Sequence, residues 1–324
     1  MTTESATSCR ICGNVSGNRV VAAREMMFGT RDAFDYVECA ACGCLQLVTP
    51  PDDLSRYYSG SYYSFKPSTP PKAWKRVLRR AWLRHSTGQP DWLGSAIAAV
   101  RGPMIPREWT QITRAAPGSS VLDVGCGAGA TLLQLREAGF TRLTGCDPFI
   151  EQDFLAGGTV PVRKCFLGDM DGHFDLVMMH HSFEHMPDPR AVLTDVVRLL
   201  NPGGWCLIRI PVASSRAWKE YGIDWVQLDA PRHFFLHTVA SIALLAQQTG
   251  LRLARTVHDS TDFQFWASEQ YRLGVPLFDE RSYMVDRTTP LFDRARIEEY
   301  RLRARELNAT GEGDQACFFL CKPA

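Results

Sequence analysis

The chain has 324 residues, 45% of them hydrophobic and 22% charged, an ordinary globular composition with enough apolar matter for one large core and a smaller module. A formal net charge of +1 argues against a general nucleic-acid binder, which needs a basic surplus to meet phosphates. No stretch approaches the ~18 apolar residues that span a bilayer, and the polar Met1–Ser8 lacks the apolar centre of a signal peptide, so a cytoplasmic location is expected.

In that compartment eleven cysteines do not suggest a disulfide framework, and their grouping becomes the informative feature. Cys9-Arg10-Ile11-Cys12-Gly13 and Cys39-Ala40-Ala41-Cys42-Gly43 are two C-x-x-C-G knuckles. Each can place two thiolates on one tetrahedral metal, so Cys9, Cys12, Cys39 and Cys42 are the expected ligands of a structural Zn2+, with Cys44 able to stand in for Cys42. A metal whose four positions are all filled by protein serves architecture; a redox pair or free thiols are the alternatives. The expected first unit, residues 1–65, joins this module to a link crowded with Tyr57, Tyr58, Tyr62 and Tyr63.

Residues 66–112 read as a helical connector. After Pro67, Pro70 and Pro71, a helix over Ala73–His85 carries Lys75, Arg76, Arg79, Arg80 and Arg84 beside Trp74, Leu78 and Trp82. Such a stripe is either a solvated face or a weak contact for an anionic membrane surface or a diphosphate-bearing substrate. A short helix from Glu108 leads into the third unit, residues 113–324.

There Val121-Leu122-Asp123-Val124 runs into Gly125-Cys126-Gly127-Ala128-Gly129-Ala130 and a helical stretch, as a nucleotide cofactor is held at the first turn of a doubly wound α/β sheet. The glycine spacing alone also fits a dinucleotide site. Asp123 weighs against that, because a carboxylate before the turn repels a pyrophosphate and suits a cationic ligand. Leu143–Cys146 reads as the second strand, and Asp147 after it stands where a carboxylate meets ribose hydroxyls. Val160–Phe166, Phe174–Met179 and Trp205–Ile210 follow as strands, with a helix over Arg190–Leu200 and a turn at Asn201-Pro202-Gly203-Gly204. A helix from Thr238, a strand over Leu251–Val257, an aromatic helical stretch at 261–310 and a final strand over Ala316–Cys321 complete the pattern. The stretch at 261–310 is expected to be a lid or a homodimer surface.

In these motifs the chain resembles the class I S-adenosylmethionine-dependent methyltransferases, through Val121–Gly129, Phe174-Asp175-Leu176-Val177 and Leu200-Asn201-Pro202-Gly203-Gly204. The resemblance implies a Rossmann-like, doubly wound seven-stranded α/β sheet with its last strand antiparallel, alongside the small zinc-binding module. It implies S-adenosyl-L-methionine as cofactor, with Asp123, Gly125, Cys126, Gly127, Gly129, Asp147, Pro148 and His180 around it, and Asp169 and Met170 at the adenine. A surface loop is the rival reading of Asp169-Met170. The four-cysteine module, tyrosine-rich link and methyltransferase domain together look like bacterial sugar methyltransferases, one tyrosine of whose link approaches the sugar, here Tyr62 or Tyr63. Those that methylate carbon carry a further C-terminal domain absent from this chain, so O-methylation of a small-molecule or glycan acceptor is expected.

Chemistry gathers outside the carboxyl ends of such strands, which places His180-His181-Ser182-Phe183-Glu184-His185 and Asp229-Ala230-Pro231-Arg232-His233 at the site. The spacing of His181 and His185 invites a metal reading, but the glutamate is misplaced for H-E-x-x-H and a sulfonium methyl needs no Lewis acid. His233 is the expected general base, with His185 next and Asp229 or Glu184 orienting the imidazole; His181 and Arg232 are expected to touch substrate. The resembled family has an acid immediately before this histidine, where Arg232 stands here; an Arg232–Asp229 pair with a structural His233 is the alternative. A nucleic-acid-modifying enzyme with a zinc ribbon and a non-catalytic cofactor-binding regulator remain as other classes.

Overall fold

The computed structural model describes residues 8–58 and 73–324, so Tyr62 and Tyr63 lie outside the described residues. In chain order the elements begin with β1 (Arg19–Arg24), β2 (Ala33–Glu38), β3 (Leu45–Leu47), α1 (Ala73–Ser86), α2 (Trp92–Arg101), α3 (Glu108–Thr113), β4 (Ser120–Val124), α4 (Ala130–Glu137), β5 (Arg142–Cys146), β6 (Phe154–Ala156) and β7 (Val160–Arg163). They continue with β8 (Phe174–His180), α5 (Pro189–Leu199), β9 (Leu200–Pro211), α6 (Arg216–Tyr221), β10 (Phe235–Leu236), α7 (Val239–Gln248), β11 (Arg252–His258), α8 (Phe263–Arg272), α9 (Arg294–Thr310) and β12 (Gln315–Cys321).

The main sheet has the order β11-β12-β9-β8-β4-β5-β7-β6. Its centre is parallel, β9 beside β8, β8 beside β4 and β4 beside β5, and every residue of β4 is buried because helices cover both faces. β12, buried along all seven residues, runs antiparallel between β11 and β9, as expected of the last strand. The expected seven strands gain an eighth: β6 forms an antiparallel edge pair with β7, which stops at Arg163 because Leu167–Asp169 turn into a 3-10 helix.

Two further details differ from the sequence reading. The turn expected at 201–204 is absorbed into β9 as an irregularity: Phe174 pairs with Leu200 and Leu176 with Trp205, and the surplus residues are accommodated with Gly203 at φ +74°. The stretch at 261–310 is two helices, α8 and α9, with an irregular segment between them. That segment packs on the N-terminal sheet, where Leu277 and Phe278 donate backbone hydrogen bonds to Met26 and Met27 (2.9 and 3.0 Å).

The small sheet has the order β1-β2-β3-β10, and its fourth strand comes from the other end of the fold. Phe235 pairs with Gln46 and Leu236 with Leu45, so the N-terminal module is stitched to the chain directly after His233. The Arg10 guanidinium lies 4.4 Å from the centre of the Phe235 ring, and Thr238, the N-cap of α7, donates its hydroxyl to the Cys42 carbonyl (2.6 Å). One continuous apolar cluster contains Ile11, Tyr36 and Leu47 of the module together with Trp218, Phe235 and Phe318.

Candidate active site

The glycine turn after β4 is built by backbone chemistry that tolerates few alternatives. Gly125, Gly127 and Gly129 all have positive φ (+71°, +51° and +76°), a conformation that strains any residue with a Cβ, and Gly129 caps α4. The Asp147 carboxylate organises this turn, Oδ2 accepting from the Gly127 N–H and Oδ1 from the Phe149 N–H, both at 2.9 Å. Each oxygen keeps a second lone pair for a ligand hydroxyl. Gly145 leaves room for the turn, since a Cβ there would come within 2.5 Å of Cys126 Sγ. Pro148 follows Asp147 at the same strand end, Met170 is buried and Asp169 is exposed in the 3-10 turn after β7.

Asp123 departs from the sequence reading of a standing negative charge. It is buried, and burial together with the charge of Asp147 pushes its carboxyl up to about 8, so it holds a proton at neutral pH until a cationic partner arrives.

The second part of the site is the turn after β8. Ser182 presses against the glycine turn: its hydroxyl donates to the Val124 carbonyl (2.8 Å), and a Cβ on Gly125 would meet Ser182 Cβ at 2.5 Å. This contact sets the histidine-rich turn beside the expected cofactor. His180 ends β8 with its imidazole nitrogens buried and without hydrogen-bond partners among the described residues, its ring stacked 4.3 Å from Trp109. His181, at φ +51°, places Nε2 2.9 Å from the Arg209 guanidinium and Nδ1 3.4 Å from Glu184 Oε1.

The segment after α6 meets this turn. The Phe234 N–H donates to the Glu184 carbonyl (2.8 Å), and the rings of His185 and His233 stand edge to face with centroids 4.8 Å apart. His185 Nδ1 lies 2.8 Å from the Arg232 carbonyl, and His233 Nδ1 lies 2.8 Å from the Gln227 carbonyl. A carbonyl only accepts, so each Nδ1 carries a proton, and in a neutral His233 ring Nε2 presents the lone pair. His233 Nε2 stands 3.7 Å from Asp229 Oδ2 and 3.9 Å from Glu184 Oε1.

Electrostatics follow from burial. Desolvation lowers His233 to about 4 despite the opposing pull of Asp229 and Glu184, so its imidazole is neutral and proton-accepting at physiological pH. Burial pushes Glu184 upward, but His181, His185 and His233 together outweigh it and leave the carboxylate at about 2. Neither Glu184 oxygen has a hydrogen bond among the described residues. A buried anion facing three imidazoles, with spare acceptor capacity, favours any positive charge that develops beside it.

Two sequence expectations need correction. The orienting partner of His233 is the Gln227 carbonyl, whereas Asp229 gives both its oxygens to the Arg232 Nε (3.0 Å each). Arg232, expected to touch substrate, is fully buried: it also bonds Glu25 Oε1 (2.9 Å) through Nη2 and the Tyr57 carbonyl (2.9 Å) through Nη1. Glu25 and Gln227 are therefore parts of the site that sequence reasoning missed. No residue-type signal marks a backbone carbonyl, and Glu25 reaches Arg232 across 207 positions of chain.

The four knuckle cysteines come together, with Cys9 Sγ–Cys42 Sγ at 3.6 Å, Cys12 Sγ–Cys39 Sγ at 3.5 Å and all four sulfurs within 4.8 Å of one another. A tetrahedron of sulfurs at ~2.3 Å from a central zinc has edges of about 3.8 Å, so the donor set fits that ion in type and spacing. The knuckles share one geometry, Gly13 N–H to Cys9 carbonyl and Gly43 N–H to Cys39 carbonyl, both 2.8 Å with the glycines at positive φ. Cys44 turns away from the cluster and lies 3.9 Å from His237 Nδ1.

Residues 99–256 match a family model described as a methyltransferase domain. The ubiquinone biosynthesis O-methyltransferase of Bordetella avium (strain 197N) is 30% identical over 167 residues, a match covering 44% of this chain and 67% of that protein. An uncharacterised 37.1 kDa protein from a transposon of Streptomyces fradiae is 30% identical over 157 residues, covering 45% of this chain and 44% of its own length. Other ubiquinone biosynthesis O-methyltransferases are matched over 40% to 68% of their lengths. The solved structure of magnesium protoporphyrin IX methyltransferase from Synechocystis PCC 6803 is 16% identical, covers 64% of this chain and 88% of its own, and superposes with a TM-score of 0.38.

Proposed function

Because the chain belongs to the S-adenosylmethionine-dependent methyltransferases, we propose that it transfers the donor's methyl group to a sugar hydroxyl, in a nucleotide-sugar, a glycan or a glycosylated natural product, with His233 as general base. The observation that supports His233 as the base is its pinned tautomer, Nδ1 held by the Gln227 carbonyl while Nε2 faces Glu184 and Asp229; the sugar acceptor rests on the likeness of the four-cysteine module and its link.

S-adenosylmethionine supplies an already activated sulfonium methyl when bound. The glycine turn with Gly125, Cys126, Gly127 and Gly129 would hold it, and Asp147 and Pro148 would serve its ribose, Asp169 and Met170 its adenine, with Asp123 and His180 completing the set. The chain's own task is to align an acceptor oxygen in line with that methyl and to remove its proton. His233 Nε2 takes the hydroxyl proton, and Glu184 and Asp229 stabilise the imidazolium that forms. His185 and His181 offer the remaining polar contacts to the acceptor. A zinc ion held by Cys9, Cys12, Cys39 and Cys42 keeps the module in place and stands outside the reaction.

Asp123 gives this reading a pH signature. A cation beside Asp123 favours the ionised form, so S-adenosylmethionine affinity is expected to rise by up to about tenfold per pH unit as pH climbs toward 8, then level off. Asp123→Asn should flatten the slope. Calorimetry against S-adenosylhomocysteine, which lacks the sulfonium, isolates the effect; equal slopes for the two ligands would remove Asp123 from this role.

The ubiquinone biosynthesis O-methyltransferases among its relatives favour a second acceptor class, a hydroxyl in ubiquinone biosynthesis. Mass spectrometry after incubation with methyl-labelled donor decides between them, offering nucleotide-sugars in one arm and hydroxylated ubiquinone precursors in the other. Label in the sugars supports the first reading. Label only in the precursors replaces it while leaving oxygen methylation intact.

A further inference from the structure

The N-terminal module reaches the candidate active site through two side chains, Glu25 and Tyr36. Glu25, directly after β1, is fully buried and held rigidly: Oε1 accepts from the Phe28 N–H (2.9 Å) and Oε2 from the Thr30 N–H (3.0 Å). Its remaining partner is the Arg232 guanidinium, 2.9 Å away and itself fully buried. Arg232 binds Asp229 through Nε and Nη2, lies 5.5 Å from the centre of the Phe28 ring, and uses its own carbonyl to hold His185 Nδ1 at 2.8 Å. The Tyr36 hydroxyl, from β2 of the same module, donates to the His233 carbonyl (2.9 Å).

Charge explains why a second carboxylate is present. Arg232 alone would neutralise Asp229 and leave His233 facing a pair without net charge. With Glu25 added, the group of two acids and one guanidinium is anionic, and Asp229 Oδ2 keeps negative character 3.7 Å from His233 Nε2. The other groups facing His233 are Glu184 and His185 from the turn after β8, together with the Gln227 and Tyr36 contacts already described. A buried cation shared by two buried acids survives only where geometry satisfies all of them, so loss of one partner displaces the rest.

We propose that Glu25 is a positioning residue of the active site: through Arg232 it fixes Asp229 and the backbone of 229–233, and so sets His233 and His185 against the acceptor. This rests on the reading of His233 as the base. It makes the four-cysteine module a working part of the catalytic centre, whereas a remote appendage would contribute no side chain to it.

The test is a double-mutant cycle in the full chain with Glu25→Gln and His233→Ala, using the acceptor that takes label in the mass-spectrometric screen and counting only S-adenosylhomocysteine-binding sites. Glu25→Gln is expected to lower kcat by about 100-fold, the order that a displacement of about 1 Å costs, with the KM for donor unchanged. In the His233→Ala background the same change should have little further effect, and Glu25→Asp should recover part of the rate. A fully active Glu25→Gln beside a slow His233→Ala overturns the link and leaves the base standing. A fully active His233→Ala removes the base, and the link with it. Hydrogen exchange on the S-adenosylhomocysteine-loaded enzyme needs no acceptor: the His233 and Phe234 amides should exchange about tenfold faster in Glu25→Gln, with residues 120–129 unaffected. Unchanged exchange at those two amides overturns the proposal.

Discussion

His233→Ala is expected to lower kcat by about 10²- to 10⁴-fold while leaving S-adenosylhomocysteine affinity at the wild-type level. The separation follows from geometry: His233 bonds Gln227 and faces Glu184 and Asp229, whereas the cofactor turn is organised by Asp147 and Ser182. The pH profile adds a sign. Burial holds His233 at about 4, so the rate carried by this base should stay level through neutral pH and fall only as pH drops toward that value. An unburied histidine would already lose rate near its ordinary value of about 6.5. Steady-state kinetics of wild type and His233→Ala across pH 5 to 9, at saturating donor, check both points. Near-wild-type turnover without His233 would move proton removal elsewhere, and His185 would be the first replacement to examine.

The second large effect concerns the module. Cys39→Ser is expected to abolish tight zinc binding, to lower Tm by roughly 10 °C or more, and to remove methyl transfer even at temperatures where the main sheet stays folded. The reason lies in what the module holds. β3 pairs with β10, Tyr36 bonds the His233 carbonyl, the Cys42 carbonyl accepts from the cap of α7, and Glu25 anchors Arg232. Loss of a metal held by the knuckles would therefore release the segment that carries His233. Metal analysis of the purified protein with calorimetric melting, before and after a strong chelator, measures this directly. One zinc per chain is expected, and full activity after its removal would separate the module from catalysis.

The parts of this molecule written in local chemistry were legible from residue order. Three glycines with positive φ, a carboxylate at the end of the second strand and two C-x-x-C-G knuckles need only short-range geometry to be recognised. The individual strands and helices of the main sheet were legible in the same way, while its seven-stranded doubly wound arrangement with the last strand reversed was what the family resemblance implied. What escaped depends on distance or on burial. Arg232 looked like a substrate contact because its segment follows a strand ending at the cofactor edge, and its pairing with Asp229 was only the alternative; folding shows it walled in between Asp229, Glu25 and Phe28. Asp123 looked like a standing charge, but the protonation of a buried carboxyl is set by its surroundings. β10 is two residues long, too short to announce itself, and owes its existence to the β3 edge supplied from the other end of the chain.

The most direct measurement is the NMR spectrum of product made with carbon-13 methyl-labelled S-adenosylmethionine. A labelled methyl bonded to oxygen, formed by the wild type and lost in His233→Ala, is the predicted result. A labelled methyl on carbon or nitrogen, or an O-methyl product formed at full rate without His233, would contradict a centre built to take a proton from a hydroxyl.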